Sequence, residues 1–267
     1  MRSLDQVRAG VDDALDRGDP DEALALARES LRRQPDAEGW YLLGVSLFST
    51  GDHDEGSRAL HSALDLDPSH VDAYVALGDE AIVRLAFEEA RRMLNGALRI
   101  DALHPVARRL RAGLREREGD LDGAARDYLT AALADPEAFP VPTPLDDDTL
   151  EAITESVLNS LHPSLREYLA NVPIVVDEVP SVEVLEDLPD AHPFELLGSF
   201  AGRSLAEPVS GDAWSALPPT IGLYRLNLAR VSADREELER ELRITLLHEI
   251  GHFLGLDEED LAERGLD

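Results

Sequence analysis

GWYLLGVSLFSTGDHDEGSRALHSALDLDPSH, residues 39–70, is followed by AYVALGDEAIVRLAFEEARRMLNGALRIDALH, residues 73–104, which repeats its pattern. Trp40, Leu43, Gly44, Leu47, Gly51, Leu60 and Ala63 fall in step with Tyr74, Leu77, Gly78, Ala81, Leu85, Leu94 and Ala97, an offset of 34 residues (Trp40 to Tyr74). Each copy reads as two helices. Small residues (Gly44, Gly78, Ala63) let the pair approach closely, and a proline such as Pro68 stops the second helix. The Gly-Asp pairs at 18–19, 51–52 and 119–120 mark the turns between the helices. GDPDEALALARESLRRQPD (18–36) and GDLDGAARDYLTAALADPE (119–137) carry the second half of the same unit on either side.

This pattern resembles the tetratricopeptide repeat, a helix–turn–helix unit of about 34 residues that begins W-x₂-L-G-x₂-Y and ends on proline. The match is densest over 37–104 and weakest over 105–138, where Arg108, Arg111 and Arg115 stand at first-helix positions that are usually apolar. The resemblance implies an all-α solenoid with a groove for a protein partner. Groove positions include Glu38, Tyr41, Val45, Phe48, Asp72, Val75, Asp79 and Ile82. They offer aromatics and acids in place of the Lys, Arg and Asn that clamp a peptide's terminal carboxylate, so an apolar or basic segment is the expected occupant.

ADPEAFPVPTPLDDD (134–148) ends the helical pattern, because Pro140, Pro142 and Pro144 favour extended backbone. Three parts follow from this: a repeat domain over 1–138, a proline-rich linker over 139–148 and a second domain over 149–267. In the second domain Leu150, Ile153, Val157 and Leu161 share a helical face, and NVPIVVDEVPS (171–181) reads as a strand. ELLGSFAGRSL and PTIGLYRLNLA (219–229) read as further strands. Ser232 is placed to cap a long final helix striped by Leu238, Leu242, Leu246, Ile250 and Phe253.

That helix carries HEIGHFLGLDEED (248–260). His248 and His252, at i and i+4, project from one face, so both imidazoles can reach a single Zn²⁺ at about 2.0–2.1 Å. Glu249 can touch a water on the metal without ligating it, as a general base requires. Gly255 can turn the chain back towards the acidic cluster that follows. A third His at the HExxHxxGxxH position is absent, since Glu258 stands there. The two methionines, Met1 and Met93, leave no downstream Met, and a distant glutamate on a later helix has no room. An HExxHxxGxxD arrangement with Glu in place of Asp remains, with Asp257 as the competing third ligand.

With VPIVVDEVPS, LLGSFAG, LPPTIGLYR and TLLHEIGHFLGLDEEDL in this order, residues 149–265 resemble the small bacterial zincin-like metallopeptidases. The resemblance implies a minimal α+β zincin fold, one zinc ion on His248, His252 and Glu258, Glu249 as catalytic base, and peptide-bond hydrolysis. It also implies an edge strand that pairs with the extended substrate, from either ELLGSFAG or TIGLYRLNL. Two departures are Glu258 where the family usually has Asp, and Leu266 near a terminus where it often has an aromatic. A non-catalytic interaction scaffold with a structural or metal-binding zincin domain is the alternative.

Composition narrows the partners. A net charge of −30 repels a phosphate backbone, so no nucleic acid is expected. All 25 basic residues are Arg, the bias of a GC-rich coding background. The chain has no Cys, which excludes disulfides and thiolate metal sites. With neither a signal peptide nor a membrane span in the sequence, a cytoplasmic protein is expected. The expected fold class is thus multidomain, an all-α tetratricopeptide-repeat solenoid followed by an α+β zincin-like domain.

Overall fold

The computed structural model describes residues 4–206 and 218–266, so Met1, Leu217 and Asp267 of the stretches quoted above lie outside it. The chain divides into two compact units, Met1–Phe139 and Pro140–Asp267.

The first unit is all helix. α1 (Leu4–Asp16), α2 (Pro20–Arg33), α3 (Ala37–Ser49), α4 (His53–Leu66), α5 (Val71–Val83), α6 (Phe87–Ile100), α7 (Pro105–Arg117) and α8 (Leu121–Ala132) pack as successive pairs. The 34-residue period reappears in the packing: a Cβ on Gly44 would fall 2.6 Å from Leu60, and one on Gly78 would fall 2.9 Å from Leu94. Gly51 turns the chain at φ +82, and Leu85, its counterpart one repeat on, holds φ +59, which costs a branched residue about 1–2 kcal/mol.

The three arginines that break the pattern of α7 have a common partner. Asp127 on α8 is fully buried and lies 2.5 Å from Arg108, 2.7 Å from Arg111 and 3.0 Å from Arg115. Burial alone would raise its pKa, but the hydrogen bonds from Arg111 and Arg108 outweigh this and hold the carboxyl below its ordinary range. An ionic cluster thus stands beside the apolar contact of Ala112 with Ala124 and Tyr128 between α7 and α8.

The expected groove is partly corrected. Val75 and Ile82 are buried between helices, so they line no groove. Glu38 and Asp72 are neutralised from within: Arg8 reaches Glu38 at 3.1 Å and Asp72 at 2.6 Å while its guanidinium lies over Tyr41. His70 Nε2 meets Glu38 at 3.1 Å and His104 Nε2 meets Asp72 at 3.3 Å. The hydrogen bond from His104, with the one from Arg8, pulls the Asp72 carboxyl far below its usual range. These acids hold neighbouring repeats together.

The second unit contains α9 (Asp147–Ser160), α10 (Pro163–Leu169), β1 (Ile174–Asp177), α11 (Val182–Asp187), β2 (Gly198–Ala201), β3 (Thr220–Tyr224), α12 (Arg225–Val231), α13 (Arg235–Leu254) and α14 (Glu258–Ala262). Residues 140–146 form no helix, as their prolines dictate, and run along this unit: Thr143 N donates to Ala229 O, and Leu145 enters the core. The sheet order is β1-β3-β2, with β3 parallel to β1 and antiparallel to β2. β3 is therefore central. Ile221 and Leu223 face the stripe of α13, where Leu238, Leu242, Leu246, Ile250 and Phe253 are all buried with Ile153 and Val157 of α9.

Two expectations about this unit are corrected. PTIGLYRLNLA is a strand only to Tyr224. From Arg225 it is helix, because Asn227 and Arg230 turn inward to carbonyls of the 193–196 segment and leave the ladder. Ser232 does not cap α13, since its buried hydroxyl donates back to Leu228 O. Asp234 is the cap, accepting from Glu237 N at 2.9 Å.

Candidate metal centre

α13 ends in the HEIGH segment, and its last turns set the geometry. Gly255 takes φ +90; its N–H reaches His252 O and Leu256 N–H reaches Gly251 O, the paired closure of a glycine-terminated helix. α14 ends in the same way: Gly265 has φ +67, Gly265 N–H reaches Ala262 O, and Leu266 N–H reaches Leu261 O. Leu261 is fully buried over Gly251, where any side chain would collide with it, so the short α14 folds back onto the end of α13.

Each of these stops delivers a carbonyl to one histidine. His252 Nδ1 lies 3.1 Å from Leu256 O, and His248 Nδ1 lies 2.6 Å from Leu266 O. A carbonyl only accepts, so both Nδ1 atoms carry the proton and both Nε2 atoms keep a lone pair. The two Nε2 atoms face each other at 2.9 Å. Two lone pairs at that separation repel unless a cation lies between them. Two nitrogens on a tetrahedral zinc at about 2.0–2.1 Å would stand about 3.3 Å apart.

Glu258, the first residue of α14, completes the group: its carboxylate oxygens lie 3.3 Å from His252 Nε2 and 3.7 Å from His248 Nε2. One ligand atom from each of the three residues lies within 4.8 Å of the others, and among the described residues no other such group is found. Asp257, the competing acid, caps α14 by accepting from Asp260 N at 2.9 Å. The donor set of two imidazoles, with their outer nitrogens anchored, and one carboxylate fits zinc.

Glu249 is 5% exposed, and no hydrogen bond from a described residue reaches its carboxylate. Burial, with the Glu258 charge adding to it, pushes its pKa up to about 8 in the metal-free protein. It lines the same cleft of about 1020 Å³ as His248, His252 and Glu258. Across the cleft runs β2, which among the described residues pairs only with β3. Tyr224 N donates to Leu197 O, so antiparallel alternation turns the backbone of Ser199 and Ala201 towards β3. The N–H and C=O of Gly198 and Phe200 point away from β3, to an edge that no described strand covers.

Sequence reasoning missed three contributors. The carbonyls of Leu256 and Leu266 carry no side-chain signature. Gly198 is read in the sequence only as part of a strand, yet a Cβ there would fall 2.7 Å from Thr245 and 2.9 Å from the Glu249 carboxylate. A glycine inside a strand pattern is a known mark of close approach, and was the available signal.

The chain thus joins a unit of paired helical repeats to an α+β unit with a helix-borne His-His-Glu group. It carries tetratricopeptide repeats, matched by that family's model over residues 8–69, and a zincin-like metallopeptidase domain, matched over residues 169–266. Peroxisome biogenesis protein 5 of Arabidopsis thaliana is 35% identical over 77 residues, which span 29% of this chain and 11% of that protein. Solved structures to which the chain is similar include MamA (20% identity, 51% of this chain and 80% of that one, TM-score 0.42). MamA of Desulfovibrio magneticus RS-1 gives 20% identity over 70% of this chain and 97% of that one, TM-score 0.40. An O-GlcNAc transferase of Thermobaculum terrenum gives 18% identity over 70% of this chain and 40% of that one, TM-score 0.43. No helix among the described residues is long and apolar enough to cross a membrane.

Proposed function

We propose that the second unit is a zinc-dependent endopeptidase whose repeats hold a protein substrate or an adaptor. The observation that carries this reading is the pair of Nε2 atoms 2.9 Å apart beside Glu258, in one cleft with the buried carboxylate of Glu249, which no described residue hydrogen-bonds. His248, His252 and Glu258 would hold the metal. A bound zinc ion supplies Lewis acidity and lets water act as a nucleophile near neutral pH.

The residues of the chain divide the rest of the work. The open edge of β2 offers the N–H and C=O of Gly198 and Phe200 to an extended peptide, which adds to the sheet as a further strand. This favours the LLGSFAG segment over TIGLYRLNL as substrate edge, because β3 already has a neighbour on each side. Glu249 takes a proton from the attacking water and returns it to the leaving nitrogen. Its burial keeps competing water away and leaves the carboxylate free for that transfer. Gly198 lets the substrate strand pass close to the base.

The test is hydrolysis of a mixed peptide library by the purified full-length chain loaded with zinc. Cleavage that Glu249→Gln removes supports the proposal. Zinc binding with no cleavage turns the reading to a metal-binding interaction scaffold, and cleavage that persists in Glu249→Gln removes Glu249 from its role.

A further inference from the structure

The histidines of the candidate centre are anchored over unequal distances. His252 is held by the carbonyl of Leu256, within the stop of its own helix, whereas His248 is held by Leu266, 18 residues on and beyond α14. With the metal reading above as its premise, we infer that Gly265 is a positioning residue for the zinc site. Its left-handed turn aims the Leu266 carbonyl at His248 Nδ1, fixing the tautomer and tilt of the first ligand.

The physical chain is short. α14 has five residues and too little helix to be stable alone. It is held at its start by the Asp257 cap and in its middle by Leu261 over Gly251. At its end Gly265 reverses the chain at φ +67, and the Leu266 N–H bond to Leu261 O anchors Leu266, whose carbonyl meets His248 Nδ1. A β-branched residue is strained at that φ and opens the turn. The carbonyl then leaves Nδ1, and the imidazole is free to place its proton on Nε2, where it blocks coordination. One element therefore supplies the third ligand at its first residue and orients the first ligand from its last turn, so these two contributions are gained and lost together.

The experiment titrates zinc into full-length wild type, Gly265→Val and Gly265→Asn against a chromophoric chelator, and records the visible spectrum of each loaded with Co²⁺. Gly265→Val is expected to weaken zinc binding by about 10–100-fold and to alter the Co²⁺ bands. Gly265→Asn, which tolerates the left-handed region, should stay within several-fold of wild type with an unchanged spectrum. A chain ending at Arg264 lacks the carbonyl outright and should reproduce the valine variant. Wild-type affinity and spectrum in either the valine variant or the truncated chain overturns the inference and leaves the metal reading standing. Failure of wild type itself to bind zinc overturns both.

Discussion

The two units use the same pairing of histidine with carboxylate and draw opposite results from it. In the repeats, His70 and His104 each cap a helix: Nδ1 accepts the N–H of Ala73 or Ala107, so the ring proton is on Nε2 and is donated to Glu38 or Asp72. Every polar atom of the ring is then satisfied within the fold. In the second unit, Nδ1 of His248 and His252 meets a carbonyl, so the proton moves to Nδ1 and Nε2 is left as a bare lone pair. The same residue types thus form a structural clasp in one place and, on the reading proposed above, a set of metal ligands in the other. The backbone group that meets Nδ1, an N–H or a carbonyl, makes the difference.

The contrast can be broken most severely at the metal centre. His248→Ala should abolish stoichiometric zinc binding in a chelator competition, and Glu258→Ala should weaken it by more than about tenfold. Asp257→Ala should leave the ligand set intact and act through the α14 cap. If Asp257→Ala rather than Glu258→Ala removes zinc, the competing acid is the ligand.

The next effect is a pH dependence of the metal-free protein. The pKa of Glu249 is raised from 4.5 to about 8 on folding, so the unfolded chain releases this proton first. Its contribution to stability is complete below pH 4.5, declines as pH rises towards 8 and is gone above that. The loss is on the order of 5 kcal/mol at most. Urea titrations of the second unit's transition across this range should show the decline in wild type and not in Glu249→Gln.

In the repeats, Asp127→Asn leaves Arg108, Arg111 and Arg115 converging on a neutral group and should cost about 3 kcal/mol in urea unfolding. The sign for acid is the reverse of that at Glu249. Asp127 is held below its ordinary pKa, so its stabilisation is present above that value and is lost as pH falls through the folded one. The smallest effect belongs to the clasp. His70→Ala should remove a cap worth about 1 kcal/mol and leave zinc affinity unchanged, and a fall in zinc affinity would break the distinction between the two kinds of histidine.

Much of this was legible in the residues. The 34-residue offset, the turns at Gly18, Gly51 and Gly119 and the stripe from Leu238 to Phe253 are local regularities, and each is found in the structure. The caps were less legible. Ser232 and Asp234 are both good cap residues two positions apart, and the choice between them rested on Ser232 being buried against Leu228 O. The end of β3 was hidden because RLNLA continues an alternating pattern, while Asn227 and Arg230 find carbonyl partners only once the 193–196 segment has folded beside them.

The sequence by itself determined what depends on neighbours along the chain. Helical repeats follow from periodicity, and two imidazoles sharing a face follow from i,i+4 spacing, since both come from the pitch of the helix. Tertiary structure alone decided which strand is central and which lies at the side, how near Gly198 brings β2 to Glu249, that Asp127 gathers three arginines, and that the carbonyl of Leu266 meets His248 Nδ1. These depend on groups far apart in sequence, or on backbone atoms common to every residue. Such relations come into being only when the chain packs.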